Sequence, residues 1–171
     1  AKRKIAEKIG ISKRIKVMAI NGYHDLAKPE SIIRQAMGKK GRSLNLQALL
    51  LDPFSSYAEE RAKQLKQETD IYLTRMRYIR DYISAIDALE QLKRDGAIVE
   101  YRLYCSNPFF RMYIFDHELV LQTYQANMHG NETPMYNFYE GERSLFRAGQ
   151  EYFAYYWNKG FMHEADWLKK M

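Results

Sequence analysis

A few stretches hold residue types that could do chemistry. Asn21-Gly22-Tyr23-His24-Asp25 sets an imidazole beside a carboxylate, a combination that acid–base catalysis can use. Neighbours on a turn seldom face each other, however, and a polar strand-to-helix turn accounts for the same residues. Asp52-Pro53 supplies a second carboxylate, with Arg61 a little further on. An Asp at a strand end could orient that Arg across a pocket mouth, or could simply cap a turn. Cys105 is the single cysteine and falls in a strand pattern, where a packed thiol is the commoner state. Gly38-Lys39-Lys40-Gly41-Arg42 lacks the glycine spacing and trailing Lys-Ser/Thr of a phosphate-binding loop. The chain has no Gly-x-Ser-x-Gly, no Gly-x-Gly-x-x-Gly after its first strand and no His-Glu-x-x-His. Four scattered histidines and one cysteine make no zinc finger. The residues therefore imply neither a metal nor a cofactor.

These candidates need elements to position them. Residues 2–9 suggest a short helix ended at Gly10. Residues 14–21 alternate and then turn wholly apolar, the mark of a strand buried on both faces. Pro29-Glu30 opens a helix to about Met37. Residues 44–51 repeat the strand pattern and break at Asp52-Pro53, so the two strands suggest a parallel βαβ unit. Helices follow over 55–67 and 71–94, the second with Tyr72, Met76, Ile79, Ile83 and Ile86 as its core stripe. Residues 97–105 alternate as a strand. Two more strand patterns, 111–115 and 118–124, flank Asp116-His117 as a tight hairpin. Residues 126–142 read as a polar loop, and 144–158 as a helix with Leu145, Phe146, Tyr152, Phe153, Tyr156 and Trp157 on one broad face. The expected fold is a single α/β domain over 1–171, its central sheet mainly parallel with helices on both faces.

Composition narrows the class. The 171 residues are 46% hydrophobic and 28% charged, which excludes a disordered or collagen-like chain. The apolar runs are far too short to span a membrane. A lone cysteine fits a reducing cytoplasm, and a start at Ala1 suggests a piece cut from a longer protein. Charge is uneven. Residues 1–42 hold 12 Lys/Arg against 3 Asp/Glu, a balance of +9, while the other 129 residues hold 15 against 18, a balance of −3. A basic end can meet nucleic acid, an anionic ligand or a partner, or can be a solvated face.

The stretch Asn107 to Asn127, Asn-Pro-Phe-Phe-Arg-Met-Tyr-Ile-Phe-Asp-His-Glu-Leu-Val-Leu-Gln-Thr-Tyr-Gln-Ala-Asn, with the two parallel-type strands and the aromatic last helix, resembles the phospholipase D-like superfamily. The active motif of that family is His-x-Lys, four residues, Asp, six residues and Gly-Ser-x-Asn. Anchored on Asp116, the family His falls on Phe109 and its Lys on Arg111. Thr123, Tyr124, Gln125 and Ala126 take the Gly-Ser-x-Asn places, with Asn127 one position late. In active members the His attacks phosphorus and the Lys stabilises phosphoryl charge. Phe109 cannot attack, whereas Arg111 can still hold phosphate.

The resemblance thus implies a degenerate, catalytically inactive phospholipase D-like domain. It would be a sensor for a small anionic ligand, nucleotide or phosphorylated, signalling to a fused or partner effector as in bacterial examples. Single-motif members of the family pair about a twofold axis, so a homodimer is expected. The ligand-binding set would be Arg111, Asn21, Tyr113, Thr123, Tyr124, His24 and Asp52, with Arg111, Asn21, Tyr113 and Thr123 or Tyr124 converging at one end of the sheet. Arg111 and Tyr113, two apart, would share a strand face. Arg111 should lack a full carboxylate partner; the alternative is pairing with Asp52, Glu118 or Glu142. Two other functions compete with the sensor. One is an active phosphodiesterase or nuclease using His24 or His117. The other is a nucleic-acid-binding regulatory module that uses the basic N-terminal segment, its affinity falling steeply with salt.

Overall fold

Side chains alternate between the two faces of a strand, so a strand covered on both faces must be apolar at consecutive positions. β1 (Arg14–Ala19) and β2 (Asn45–Leu51) follow this rule. Ile15, Val17 and Ala19 with Leu46, Ala48 and Leu50 enter one core, while Met18 with Leu49 and Leu51 enters another on the opposite face. The computed structural model describes residues 11–28, 31, 33, 44–64, 71–125 and 133–162. The helix expected at 2–9, and most of the one expected at 29–37, lie outside the described residues.

Helices α1 (Ser56–Gln64) and α2 (Ile71–Arg94) connect β2 to β3 (Ile98–Tyr104). β4 (Phe110–Ile114), β5 (Glu118–Thr123), β6 (Met135–Tyr139) and α3 (Leu145–Lys159) complete the described chain. The six strands form one sheet in the order β3-β2-β1-β4-β5-β6. β1 pairs with β2, and β2 with β3, in parallel, Val17 standing beside Ala48 and Leu50 beside Leu103. The β1–β4, β4–β5 and β5–β6 pairings are antiparallel.

The expectation of a mainly parallel sheet with helices on both faces is thereby corrected. Only two of the five pairings are parallel. Helical cover among the described residues is sparse, with α2 over the first core and α1 and α3 against the second. The reason is local. Long crossovers deliver β2 and β3 pointing the same way as β1, whereas the two-residue Asp116-His117 hairpin, closed by Phe115 N–H donating to the Glu118 carbonyl at 2.8 Å, reverses the chain.

The helix ends follow from their residues. Gly96, at φ 94°, stops α2. The Gly96 N–H donates to the Lys93 carbonyl and the Ala97 N–H to that of Leu92, which satisfies the last turn. The buried stripe of α2 is Ile79, Tyr82, Ile86, Leu89 and Leu92. Met76, placed on that stripe from its spacing, is instead exposed. The Ser144 hydroxyl caps α3 by accepting from the Arg147 N–H at 3.4 Å. Phe146, Phe153 and Trp157 are buried beneath it, and Leu145 is not. At Gly149 a Cβ would stand 2.4 Å from Leu119 Cδ2, so a larger residue there would require the Leu119 side chain to move. β6 falls inside the stretch read as a loop. Pro134 and Gly141 bracket it as turn residues do, and the five-residue aromatic strand between them was obscured.

Candidate functional site

Antiparallel register brings all seven sequence-named residues to one end of the sheet. Asn21 follows β1, His24 lies on the next turn and Asp52 follows β2. Arg111 and Tyr113 belong to the incoming β4, and Thr123 and Tyr124 to the outgoing end of β5, where the Tyr124 N–H donates to the Phe109 carbonyl at 2.9 Å.

The centre of this end is Asp25. The chain leaves β1 through Gly22, held at φ 67° under Leu26 and Leu50, and makes one wide π-helical turn, Tyr23–Ala27. That turn points Asp25 inward and leaves His24 outside. Asp25 receives Arg111 in a two-pronged bond, Nε to Oδ2 at 3.1 Å and Nη2 to Oδ1 at 2.6 Å. The Tyr113 hydroxyl donates to the same Oδ1. Arg111 Nη1 reaches Gln122 Oε1 at 3.5 Å, and Gln122 Nε2 donates to the Thr133 carbonyl at 2.8 Å. The Arg111 side chain is 9% exposed and that of Asp25 4%.

Electrostatics follow from burial. Removal from water by itself would lower the Arg111 pKa, but Asp25, with Tyr113 and Tyr124, outweighs it and holds the guanidinium above its ordinary value. Burial first, then the Asp25 charge, drives the Tyr113 phenol well up. Burial likewise pushes Tyr124 up to about 12. Its hydroxyl accepts the Ile20 N–H at 3.3 Å, and the Arg61 guanidinium lies 5.4 Å from its ring centre. Arg61 also donates to the Gln125 carbonyl at 2.8 Å. His24 is lowered by partial burial and then by the Lys28 and Arg111 charges.

Arg111 therefore has the full carboxylate partner it was expected to lack, and the partner is none of the three named. It is Asp25, neighbour of the histidine that drew attention in the sequence. Asp25, weighed in the sequence only as a neighbour of His24, and Gln122 are the partners of Arg111 that the ligand-binding set left out. Asn21 bonds elsewhere, Nδ2 donating to Asp81 Oδ2 at 3.2 Å while Oδ1 accepts the Tyr23 N–H. Thr123 and Asp52 do local work. Thr123 Oγ1 accepts from Gln125 Nε2 at 3.4 Å, and Asp52 Oδ1 accepts the Phe54 N–H at 3.0 Å in the turn after β2. Chemically the arrangement is a strut: a planar cation saturated by a carboxylate and braced by a phenol ties the post-β1 turn to β4.

The two histidines offered as nucleophiles cannot share one site. His24 follows the end of β1, whereas His117 sits on the hairpin tip at its beginning and pairs with Glu140. Six residues of strand separate the two ends by roughly 20 Å. Among the described residues no group of three His, Cys, Asp or Glu is arranged to hold a metal ion. No described helix is long and apolar enough to cross a membrane.

The fold defines a class: a mixed α/β sheet, parallel in one half and antiparallel in the other. No family model matches the sequence. No curated protein matches it either. Among solved structures, the chain is similar to that reported as "Structure of TrmBL2, an archaeal chromatin protein, shows a novel mode of DNA binding". The likeness covers 93% of this chain at 15% identity and a TM-score of 0.52. The chain spans about half, 49%, of the TrmBL2 chain. Identity this low establishes the fold alone.

The resemblance to the phospholipase D-like superfamily is overturned by this finding. The structure also shows why the motif misled. Asp116, its anchor, accepts the backbone N–H groups of Lys13 and Arg14 at 3.0 and 3.1 Å. Arg111, its substitute for Lys, is occupied by Asp25. Phe109, in the family His position, is a surface ring beside Phe110. The ligand-binding, signalling role implied by that family, bacterial examples included, falls with it.

Proposed function

We propose that this chain is a DNA-binding module. The observation that carries the reading is the fold likeness to TrmBL2, an archaeal chromatin protein that binds DNA, across 93% of the chain. Because the chain spans about half of TrmBL2, DNA binding is carried over as a proposal and not as a property of the fold. The charge distribution supports it independently. Twelve Lys/Arg against three Asp/Glu in residues 1–42 make a cationic first quarter on an otherwise slightly acidic chain, as expected where phosphates are met. In this reading the Arg111–Asp25 strut serves the fold.

Anisotropy of a labelled DNA duplex, titrated with the protein over a range of salt, tests this. Log affinity should fall linearly with log salt, with a slope of about −0.9 per phosphate neutralised. Replacing Lys39, Lys40 and Arg42 with Gln should make the slope shallower. Absence of binding at low salt, or an affinity indifferent to salt, refutes the proposal.

A further inference from the structure

Ion pairing on the helices is uneven. Lys63 of α1, Lys93 near the end of α2 and Arg147 of α3 each bond a carboxylate within about one turn of their own helix, Glu59, Glu90 and Glu151 respectively. The first half of α2 departs from this habit. Within a short stretch it carries Arg75, Arg77 and Arg80, all exposed, and its first turn holds no acidic residue. Among the described residues no carboxylate pairs with Arg75 or Arg77. Arg80 meets Asp81 at 3.4 Å, but that carboxylate also accepts from Asn21. The Arg80 side chain is 72% exposed and that of Asp81 11%. Arg75 leans towards α1, its guanidinium 5.9 Å from the Phe54 ring centre.

Arg77 and Arg80 are three residues apart, so they stand side by side on the helix surface. Like charges so placed oppose the helix, and no contact among the described residues offsets the cost. A local rule broken in this way is expected at a functional surface. We propose that Arg77 and Arg80 are phosphate contacts, and that the outward face of the first half of α2 lies against the backbone of a DNA duplex. The inference rests on the DNA-binding reading above and says where on the described fold the duplex sits.

The chemistry and the placement agree. The forked donors of arginine match phosphate oxygens, and its guanidinium is less firmly hydrated than an ammonium. Along the helix the same outward row runs on through Ser84 and ends at exposed Asp87, whose charge bounds the surface. Beside the row, α2 packs against the π-helical turn Tyr23–Ala27. Lys28 follows that turn and belongs to the cationic first quarter of the sequence, so the two basic stretches abut here. The helix is also fixed in rotation. Ile79, Tyr82 and Ile86 are buried beneath it, and the Asn21 bond to Asp81 ties it to the end of β1. The arginines therefore project from a rigid support, as a preorganised contact requires.

Anisotropy of a labelled duplex over a salt series tests this. Arg77→Gln with Arg80→Gln should weaken binding and make the slope of log affinity against log salt shallower by about 1.8, two phosphates at about 0.9 each. Lys93→Gln with Arg94→Gln removes the same charge from the far end of α2 and should leave the wild-type slope. All four side chains are exposed, so melting temperatures should stay close to wild type. A wild type that binds, with an unchanged slope in the Arg77 and Arg80 variant, overturns this inference and leaves the DNA-binding reading standing. An equal change from the Lys93 and Arg94 replacements also overturns it, since net charge would then be the cause. A wild type that binds no duplex at low salt overturns both. Should the double variant fold poorly, Arg77→Gln alone, with an expected change of about 0.9, decides.

Discussion

The β4–β5 hairpin presents two faces made by different physics. Towards α3 it shows Phe110, Met112, Ile114, Leu119 and Leu121, packed with Phe146, Phe153 and Trp157. Towards the turn after β1 it shows Arg111, Tyr113 and Gln122, gathered on Asp25 and the Thr133 carbonyl. The first face gains from apolar area removed from water, which is indifferent to direction. The second holds only while each donor keeps its acceptor, because a buried charge without a partner is far costlier than the pair. Equal burial therefore does not mean equal tolerance. The apolar face should accept change of shape, and the polar face should accept only change in pairs.

The largest effect is expected from Asp25→Ala, which leaves the Arg111 cation buried and uncompensated. Urea unfolding should show a loss of about 3–5 kcal/mol. Joint replacement, Asp25→Leu with Arg111→Met, should recover most of it, since well-packed apolar groups can stand in for a buried ion pair. A single variant that loses under about 1 kcal/mol would equate this pair with a surface salt bridge and dissolve the contrast. On the opposite face, Phe153→Leu keeps much of the volume beneath α3 and should lose under about 1.5 kcal/mol in the same assay. A larger loss there than at Asp25 would reverse the ranking of the two faces.

The smallest effect is a matter of pH. The His24 pKa lies below its ordinary 6.5 because partial burial, then Lys28 and Arg111, disfavour the imidazolium. The folded state binds that proton less readily than the unfolded one, so the contribution is intact above 6.5 and is lost as pH falls through the lowered value. Melting temperature should drop over that acid range, and His24→Gln should remove the part of the drop due to this residue. A drop unchanged in His24→Gln would move the pH sensitivity elsewhere.

How much of this was legible in the sequence depends on how local the cause is. β1 and β2 were legible because burial on both faces writes itself as an apolar run. α2 was legible to its ends because Asp95-Gly96 stops it, and so was the Asp116-His117 hairpin. The choice of β4 as the second neighbour of β1 was not, since no local pattern records which strand comes alongside. Neither was the partner of Arg111, which lies 86 residues away in sequence. Of the adjacent His24 and Asp25, the one that turns inward is decided by the pitch of the π turn and the φ of Gly22, which composition does not encode. β6 was lost to its brackets, as turn residues on each side outweighed five residues of strand.

The clamp of Asp116 on Lys13 and Arg14 has a consequence for synthesis. It closes a separation of 103 residues, and the neighbouring β1–β4 seam joins Val17 to Tyr113. As the chain emerges, β1 can be paired on its β2 side while its other edge waits for residues some hundred places later. Loops that long close slowly, and an unpaired edge is open to the wrong strand in the meantime. The seam should therefore be the late event of folding, and its delay the period in which a nascent chain is most exposed to aggregation.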